Sequence, residues 1–187
     1  YPLIGNYGIN SEDFESDKPH LSALIIKELS TIPSNWRSQE TLQGFLSKHG
    51  VIGIQGIDTR ALTSRIRDVG SQQAILSTLS NDTRALVEKA ASLPSLENRD
   101  LVKEVSCSEP YDWHEGQWSL SNGKSSFEVK ANITNSHFVV AYDFGIKKNI
   151  LRMLTEAGCQ VRVVPASTSA KDVLAMNPSG VFLSNGP

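Results

Sequence analysis

The sequence lacks the marks of a membrane protein and of a nucleic-acid binder. No apolar run approaches the roughly 20 residues that a membrane helix needs, because even Leu24, Ile25 and Ile26 are followed at once by Lys27 and Glu28. Eighteen Lys and Arg residues stand against twenty Asp and Glu residues, which gives a net charge of −2. That balance leaves no excess positive charge to neutralise a phosphate backbone. We therefore expect a soluble protein that binds neither a membrane nor a nucleic acid.

Cysteine is also scarce, since the chain contains only Cys107 and Cys159. Two cysteines are too few for a disulfide framework, so a reducing compartment is the simpler interpretation. The first residue is Tyr1 rather than Met, and the last residues, Gly186 and Pro187, belong to a turn signal. We expect both ends to be cut from a longer chain, so targeting segments cannot be judged from it.

The residues that are present are typical of a globular protein. Of the 187 residues, 39% are hydrophobic and 20% are charged, which allows one large domain or two small ones. Hydrophobic periodicity in the first half predicts mixed strands and helices, and hence an α/β or α+β domain. The predicted strands are 20–29, 51–54 and 74–78; the predicted helices are 39–49 capped by Ser38, 58–70 capped by Asp58, and one that starts at Asn81 or Asp82 and ends before Pro94.

A different pattern begins near residue 110. Between 110 and 136 the periodicity breaks down into many Ser, Asn and Gly residues, which predicts a linker. Trp113 and Trp118 carry enough apolar area for part of this linker to pack on a domain. The predicted organisation is a first domain over 1–112, a linker over 113–136 and a second domain over 137–187.

The second domain follows the order strand, helix, strand, helix, strand with short connections. This order predicts the beginning of a doubly wound parallel sheet. The predicted strands are Phe138–Tyr142, Gln160–Val164 and Gly180–Ser184, and the predicted helices contain Ile150–Ala157 and Asp172–Met176.

A candidate site lies at the carboxyl ends of these strands, where ligands of such sheets bind. There we expect Asn185, Gly186 and Pro187 to line the same crevice as Asp143. A glycine lets backbone amides approach a ligand closely, as an oxyanion hole requires. Two alternatives stay open, because Gly186 is also typical of a simple turn, and Asp143 is also typical of a carboxylate that caps the next helix or bonds to loop amides.

Other reactive residue types provide no candidate. Cys159 lies between a helix end and a buried strand, and Cys107 has neither a glycine elbow nor an obvious base nearby. The arginines of the segment 58–67 are most simply a solvated helix face, with an interface as the alternative. The histidines show no metal-ligand spacing; they are His20, His49, His114 and His137.

Four ordered segments carry a family resemblance: Tyr1–Asn10, Gly56–Thr63 with its Ile-Asp-Thr-Arg sequence, Val139–Arg152, and Phe182–Pro187. Together they resemble the small, glutamine-handling subunit of carbamoyl-phosphate synthetase. The resemblance covers essentially the whole chain and is weakest over 114–136. Four motifs in one order are far more specific than any one of them.

The resemblance implies a small-subunit-specific N-terminal α/β domain, truncated at its start, and then the first part of a class I glutamine amidotransferase domain of flavodoxin-like topology. In that family, glutamine is hydrolysed through a cysteine thioester. The ammonia passes to a large subunit that makes carbamoyl phosphate from bicarbonate and ATP, for arginine and pyrimidine synthesis. The implied partners are L-glutamine and the large subunit, in a heterodimer or a higher oligomer. The large subunit uses ATP and Mg, and no cofactor is expected in this chain. The expected location is the cytoplasm, or a plastid in a photosynthetic eukaryote.

By this resemblance, Gly186 matches the first glycine of the family's Gly-Pro-Gly turn, whose backbone binds glutamine and helps to stabilise the oxyanion. No residues of this sequence match the family's cysteine-containing nucleophile elbow, or the His and Glu that complete its catalytic triad. No catalytic residue is therefore expected in this chain, which alone should be inactive. The alternatives are a non-catalytic homologue, another amidotransferase-like α/β binding module, and a structural or signalling α/β protein in which Asp143 is an acceptor.

Overall fold

The computed structural model describes residues 3–95, 99–126 and 136–187. They fall into two units, which are described separately. The first unit comprises Tyr1–Asp13 and Asp17–Asn98, and the second comprises Phe14–Ser16 and Arg99–Pro187. The sequence predicted the division after residue 112, whereas the two units divide after Asn98.

In its described residues, the first unit contains short strands and three helices. Strand β1 pairs in parallel with β3, and β2 pairs in parallel with β4. Each helix begins where a side chain accepts a hydrogen bond from a free backbone amide, as N-capping requires: Thr41 for α1, Asp58 for α2 and Asp82 for α3. The elements are β1 (Leu3–Ile4), a 3₁₀ turn (Ser11–Asp13), β2 (Ala23–Ile25), β3 (Glu28–Leu29), α1 (Leu42–Lys48), β4 (Ile52–Ile54), α2 (Thr59–Val69) and α3 (Thr83–Ala91).

The second unit is built on a four-stranded sheet with the strand order β10-β8-β9-β5. Strands β10, β8 and β9 are parallel, and β5 is an antiparallel edge strand. Strands β6 and β7 form a separate antiparallel pair. The elements are α4 (Val102–Val105), β5 (Tyr111–Trp113), β6 (Glu115–Ser119), β7 (Gly123–Ser126), β8 (His137–Asp143), α5 (Lys148–Glu156), β9 (Cys159–Pro165), α6 (Ala170–Ala175) and β10 (Gly180–Leu183).

The two faces of this sheet bury separate apolar clusters, because successive strand residues point to opposite faces. On one face Leu151 of α5 packs with Ala141, Val161 and Val163. On the other face Val173 of α6 packs with Val140 and Val164. Helices thus cover both faces of a parallel sheet, which confirms the predicted doubly wound architecture.

Several local predictions are wrong. Residues 74–78 form no strand, since the structure gives them no partner in the described chain. The predicted strand 20–29 is two strands, because β2 pairs with β4 and β3 pairs with β1. Helix α1 begins at Leu42 rather than 39, because Thr41, not Ser38, accepts from the Gly44 amide.

The segment predicted as a linker contributes strands to the second unit. Strand β5 extends the main sheet, and β6 and β7 form their own pair. The Trp113 side chain packs against the Leu151 cluster, as its apolar area predicted. Residues 127–135 of the predicted linker lie outside the described residues. None of the helices in the described chain combines the length and the apolar character of a membrane span.

Candidate functional site

The candidate site is formed where β8 and β10 end side by side. Leu183 is paired with Tyr142 at the end of the ladder. The segments that follow these strands, Phe144–Lys147 and Ser184–Pro187, are therefore neighbours. In the sheet order β10-β8-β9, strand β8 has its two parallel partners on opposite sides. This place is a topological switch point, where open α/β sheets bind ligands.

Asp143, the last residue of β8, is buried and organises the surrounding loops. One carboxylate oxygen, Oδ1, accepts from the Gly145 and Ile146 amides, each at 2.9 Å. The other, Oδ2, accepts from the Cys107 amide at 2.8 Å. A carboxylate that receives three backbone amides is fixed in orientation. The structure thus gives Asp143 a structural role as an acceptor for loop amides, and Asp143 does not cap α5, whose N-cap residue is Lys147.

The segment after β10 rests on the segment after β8. The Phe144 amide donates to Ser184 Oγ at 3.0 Å, and Ser184 Oγ donates to the Asn185 carbonyl oxygen at 2.7 Å. The Asn185 side-chain amide donates to the Gly145 carbonyl oxygen at 3.4 Å. These bonds place Asn185 and Gly186 beside the residues that follow Asp143.

Gly186 is a glycine because there is no room for a side chain. A Cβ built on it lies 2.6 Å from the Phe144 carbonyl oxygen and 3.0 Å from the Phe144 Cβ. The first of these atoms belongs to the backbone and cannot rotate away. The two backbone segments thus approach each other closely. The sequence alone showed a glycine in a turn and did not reveal this approach.

The two cysteines lie in surroundings that do not favour a nucleophile. Burial, and then the negative charge of Asp143, raise the pKa of the Cys107 thiol to about 11. Reactivity requires the thiolate, and at pH 8 such a thiol is ionised to only about one part in a thousand. Cys159 packs, like Cys107, against the Leu151 cluster. Both are free cysteines, and the structure supports the prediction that neither attacks a substrate.

Histidines form no metal site in the described residues. The described residues contain no group of three or more His, Cys, Asp or Glu side chains that could hold a metal ion. His49 instead follows α1 and its ring contacts the Phe45 ring, with centroids 4.4 Å apart.

A second feature lies in the first unit, at the start of α2. Lys27, Arg60 and Arg67 line an open concavity of about 1110 Å³, which we call the basic concavity. Asp58 also lines it, but its Oδ1 accepts from the Arg60 and Ala61 amides and so caps α2. Arg65, on the same helix, is exposed and is not part of the lining.

The chain is similar to known proteins over its whole length. Residues 1–76 match the family model described as "Carbamoyl-phosphate synthase small chain, CPSase domain", and residues 140–187 match "Glutamine amidotransferase class-I". Relatives called "Carbamoyl phosphate synthase small chain" are 59% identical in Syntrophotalea carbinolica, 49% in Thioalkalivibrio sulfidiphilus and 47% in Escherichia coli K12. All of the chain is covered in each case, and it spans about half the length of these relatives.

Proposed function

The chain belongs to the family of carbamoyl-phosphate synthase small chains, and from this premise we propose that it provides part of the glutamine site of a glutamine-hydrolysing small chain. The ammonia released there passes to a large chain, which uses bicarbonate and ATP to make carbamoyl phosphate for arginine and pyrimidine synthesis. The match of residues 1–76 to the small-chain model favours this function over another class I amidotransferase or an unrelated binding module.

One observation carries the proposal. At the switch point of the sheet, Gly186 lies so close to Phe144 that no side chain fits. Packing therefore requires a glycine here, and hydrogen bonds with Phe144 and Gly145 hold this segment to the turn after β8. Preorganised backbone donors of this kind stabilise an oxyanion without reorganisation during the reaction. We therefore assign Gly186 to the turn that binds glutamine.

The chemistry assigned to this turn is electrostatic. When a cysteine thiolate attacks the side-chain amide carbon of glutamine, negative charge develops on the carbonyl oxygen. Backbone amides near Gly186 hold that charge while ammonia leaves, and water then cleaves the thioester to release glutamate. We place the thiolate outside residues 1–187, because Cys107 and Cys159 are both half-buried against the Leu151 cluster and the pKa of Cys107 is raised. Residues 1–187 alone are then inactive, and ammonia release from glutamine that Cys107→Ala or Cys159→Ala abolished would contradict this assignment.

The proposed partner is the large chain, in a heterodimer or a higher oligomer, and we propose the basic concavity as one of its contacts. Arginine is enriched in protein interfaces, and Arg60 and Arg67 line the concavity together with Lys27. ATP and Mg are used by the partner, with no cofactor in this chain. The free cysteines fit a cytoplasmic location.

Transfer of labelled nitrogen tests the proposal. The complete small chain is assembled with its large chain and supplied with glutamine labelled with ¹⁵N in the side-chain amide. We expect the label in carbamoyl phosphate. Synthesis from free ammonia with no transfer from glutamine would contradict the proposal.

A further inference from the structure

Helix α5 starts next to the candidate site but has no cap from its own sequence. Its N-cap residue is Lys147, whose side chain makes no capping hydrogen bond. The first amides of a helix need acceptors, and an uncapped start frays. The acceptors come from the segment Phe14–Ser16, which belongs to the same unit of the structure.

Glu15 supplies these acceptors twice. Its carboxylate Oε2 accepts from the Asn149 amide at 3.0 Å, across 134 residues of sequence. Its backbone carbonyl oxygen accepts from the Lys148 amide at 3.2 Å. The negative carboxylate also lies at the positive end of the helix dipole, which adds a favourable interaction.

Arg152 holds Glu15 in this position. One guanidinium nitrogen, Nη1, lies 3.3 Å from Glu15 Oε1, and Nη2 donates to the Phe14 carbonyl oxygen at 3.0 Å. The Arg152 side chain is only 7% exposed, and its buried Nε has no hydrogen-bond partner among the described residues. A buried arginine with an unsatisfied donor is costly unless its charge is paired. A second carboxylate oxygen, Oε2 of Glu115, lies 3.7 Å from Nη2, so Glu15 is the nearer of two carboxylates that pair with this charge. The pairing with Glu15 therefore matters more than a surface ion pair does.

The turn between β8 and α5 is thus held by carboxylates at both ends. Asp143 binds the Gly145 and Ile146 amides, and Glu15 binds the Lys148 and Asn149 amides. This turn contains the Phe144 carbonyl oxygen on which Gly186 rests.

We propose that Glu15 is a positioning residue for the glutamine site, acting through the start of α5 on the turn that supports Gly186. This inference rests on the proposed function of that turn. Glu15 touches no substrate in this account, and its effect is on the geometry of the backbone amides. Misplacement of a site by a fraction of an ångström slows a reaction that depends on preorganised donors.

The test compares variants of the complete small chain assembled with its large chain. Glu15→Ala removes the side-chain cap, and Glu15→Gln keeps an acceptor for Asn149 but loses the charge that faces Arg152. Glu12→Ala is the matched control, because Glu12 is near Glu15 in the sequence, in the 3₁₀ turn Ser11–Asp13, and pairs with Arg37 instead. We expect kcat/KM for glutamine to fall about tenfold in Glu15→Ala, less in Glu15→Gln, and not in Glu12→Ala. Ammonia-dependent synthesis should remain unchanged in all three.

Amide hydrogen exchange gives a second readout that needs no glutamine activity. The Phe144 amide, which donates to Ser184 Oγ, should exchange faster in Glu15→Ala than in the wild type or in Glu12→Ala.

Unchanged exchange at the Phe144 amide overturns the proposal. Unchanged glutamine kinetics together with faster exchange at Asn149 also overturn it. An equal loss of the glutamine and ammonia activities also overturns it, since Glu15 would then act on folding or assembly. If the wild type uses ammonia but not glutamine, the proposed function fails, and the exchange at Phe144 still decides whether Glu15 positions the turn. Glu15→Gln replaces Glu15→Ala in both measurements if the alanine variant does not fold.

Discussion

The carbonyl oxygen of Phe144 lies 2.6 Å from the point where a side chain on Gly186 would place its Cβ. Real Cβ atoms do not approach a backbone oxygen so closely, so any side chain at 186 must separate the two segments. The constraint on Gly186 is steric, because its backbone does not have a positive φ. Substitution at this position therefore moves the site itself.

The basic concavity leads to a prediction about association with the large chain. Arg67→Glu in the complete small chain should weaken binding by about 1 kcal/mol or more if Arg67 is a hot spot, or roughly fivefold or more in Kd. The physical reason is that the variant places a negative charge among the residues that line the concavity. Titration of the large chain with labelled small chain measures the effect.

Arg65→Glu is the matched control for that experiment. It makes the same charge change on the same helix, at an exposed residue outside the concavity. If both variants changed the Kd equally, only the net charge would matter. If Arg67→Glu left the Kd unchanged, the arginines of α2 would be a solvated face and not an interface.

Cys107 provides a prediction about thiol reactivity. Because burial and the charge of Asp143 raise its pKa to about 11, its alkylation by iodoacetamide should increase with pH up to that range. At pH 8 the rate should be roughly 100-fold or more below that of a cysteine peptide with a pKa near 8.5. Mass spectrometry of the peptide that contains Cys107 gives the rate. A midpoint below pH 9 would show that the thiol is not suppressed.

The edge strand β5 leads to a prediction about pH and stability. Arg162 of β9 donates to both carboxylate oxygens of Asp112 at 2.9 Å, and these bonds hold the pKa of Asp112 below its ordinary value. A carboxyl with a lowered pKa in the folded state stabilises the protein above its unfolded pKa of about 4 and loses that contribution as the pH falls. Both side chains are more than a third exposed, so Asp112→Asn should lower the free energy of unfolding by less than about 1 kcal/mol at pH 7.

Denaturant unfolding at pH 7 and at pH 3 measures the Asp112→Asn difference, which should shrink at the lower pH. Asp68→Asn is a control, because its nearest guanidinium nitrogen, on Arg67, is 3.7 Å away. The same loss for both variants, or a loss for Asp112→Asn that grows toward pH 3, contradicts the expectation.

Local signals in the sequence predicted much of the fold. Asp58 caps α2 as expected, and β8, β9 and β10 differ from their predicted bounds by no more than one residue at each end. These elements have caps, glycines or continuous apolar runs that act over a few residues. The family resemblance, and the position of Gly186 beside Asp143, followed from the same segments.

The strand predictions that failed, and the contacts that the sequence did not reveal, depend on partners distant in the sequence. Residues 74–78 have apolar strand-forming side chains, but a strand requires a neighbour for its backbone hydrogen bonds. The Glu15 cap on α5 joins residues 134 positions apart, and no local pattern marks it. The contact between Gly186 and Phe144 is equally non-local, so the sequence revealed the glycine but not the reason for it.

The most direct test of the account is the nitrogen-source dependence of Gly186→Ala in the complete small chain assembled with its large chain. The control is Gly180→Ala, at the start of β10, the strand that precedes Gly186, where a Cβ meets only Val139 Cγ2 at 3.9 Å. We predict that Gly186→Ala lowers the glutamine-dependent rate by a factor of about 10² to 10³, as the loss of one oxyanion donor does. Its ammonia-dependent rate should stay near that of the wild type, and so should both rates of Gly180→Ala. An unchanged glutamine-dependent rate, or an equal loss of both rates in a folded and assembled Gly186→Ala complex, would contradict the assignment of this turn to the glutamine site.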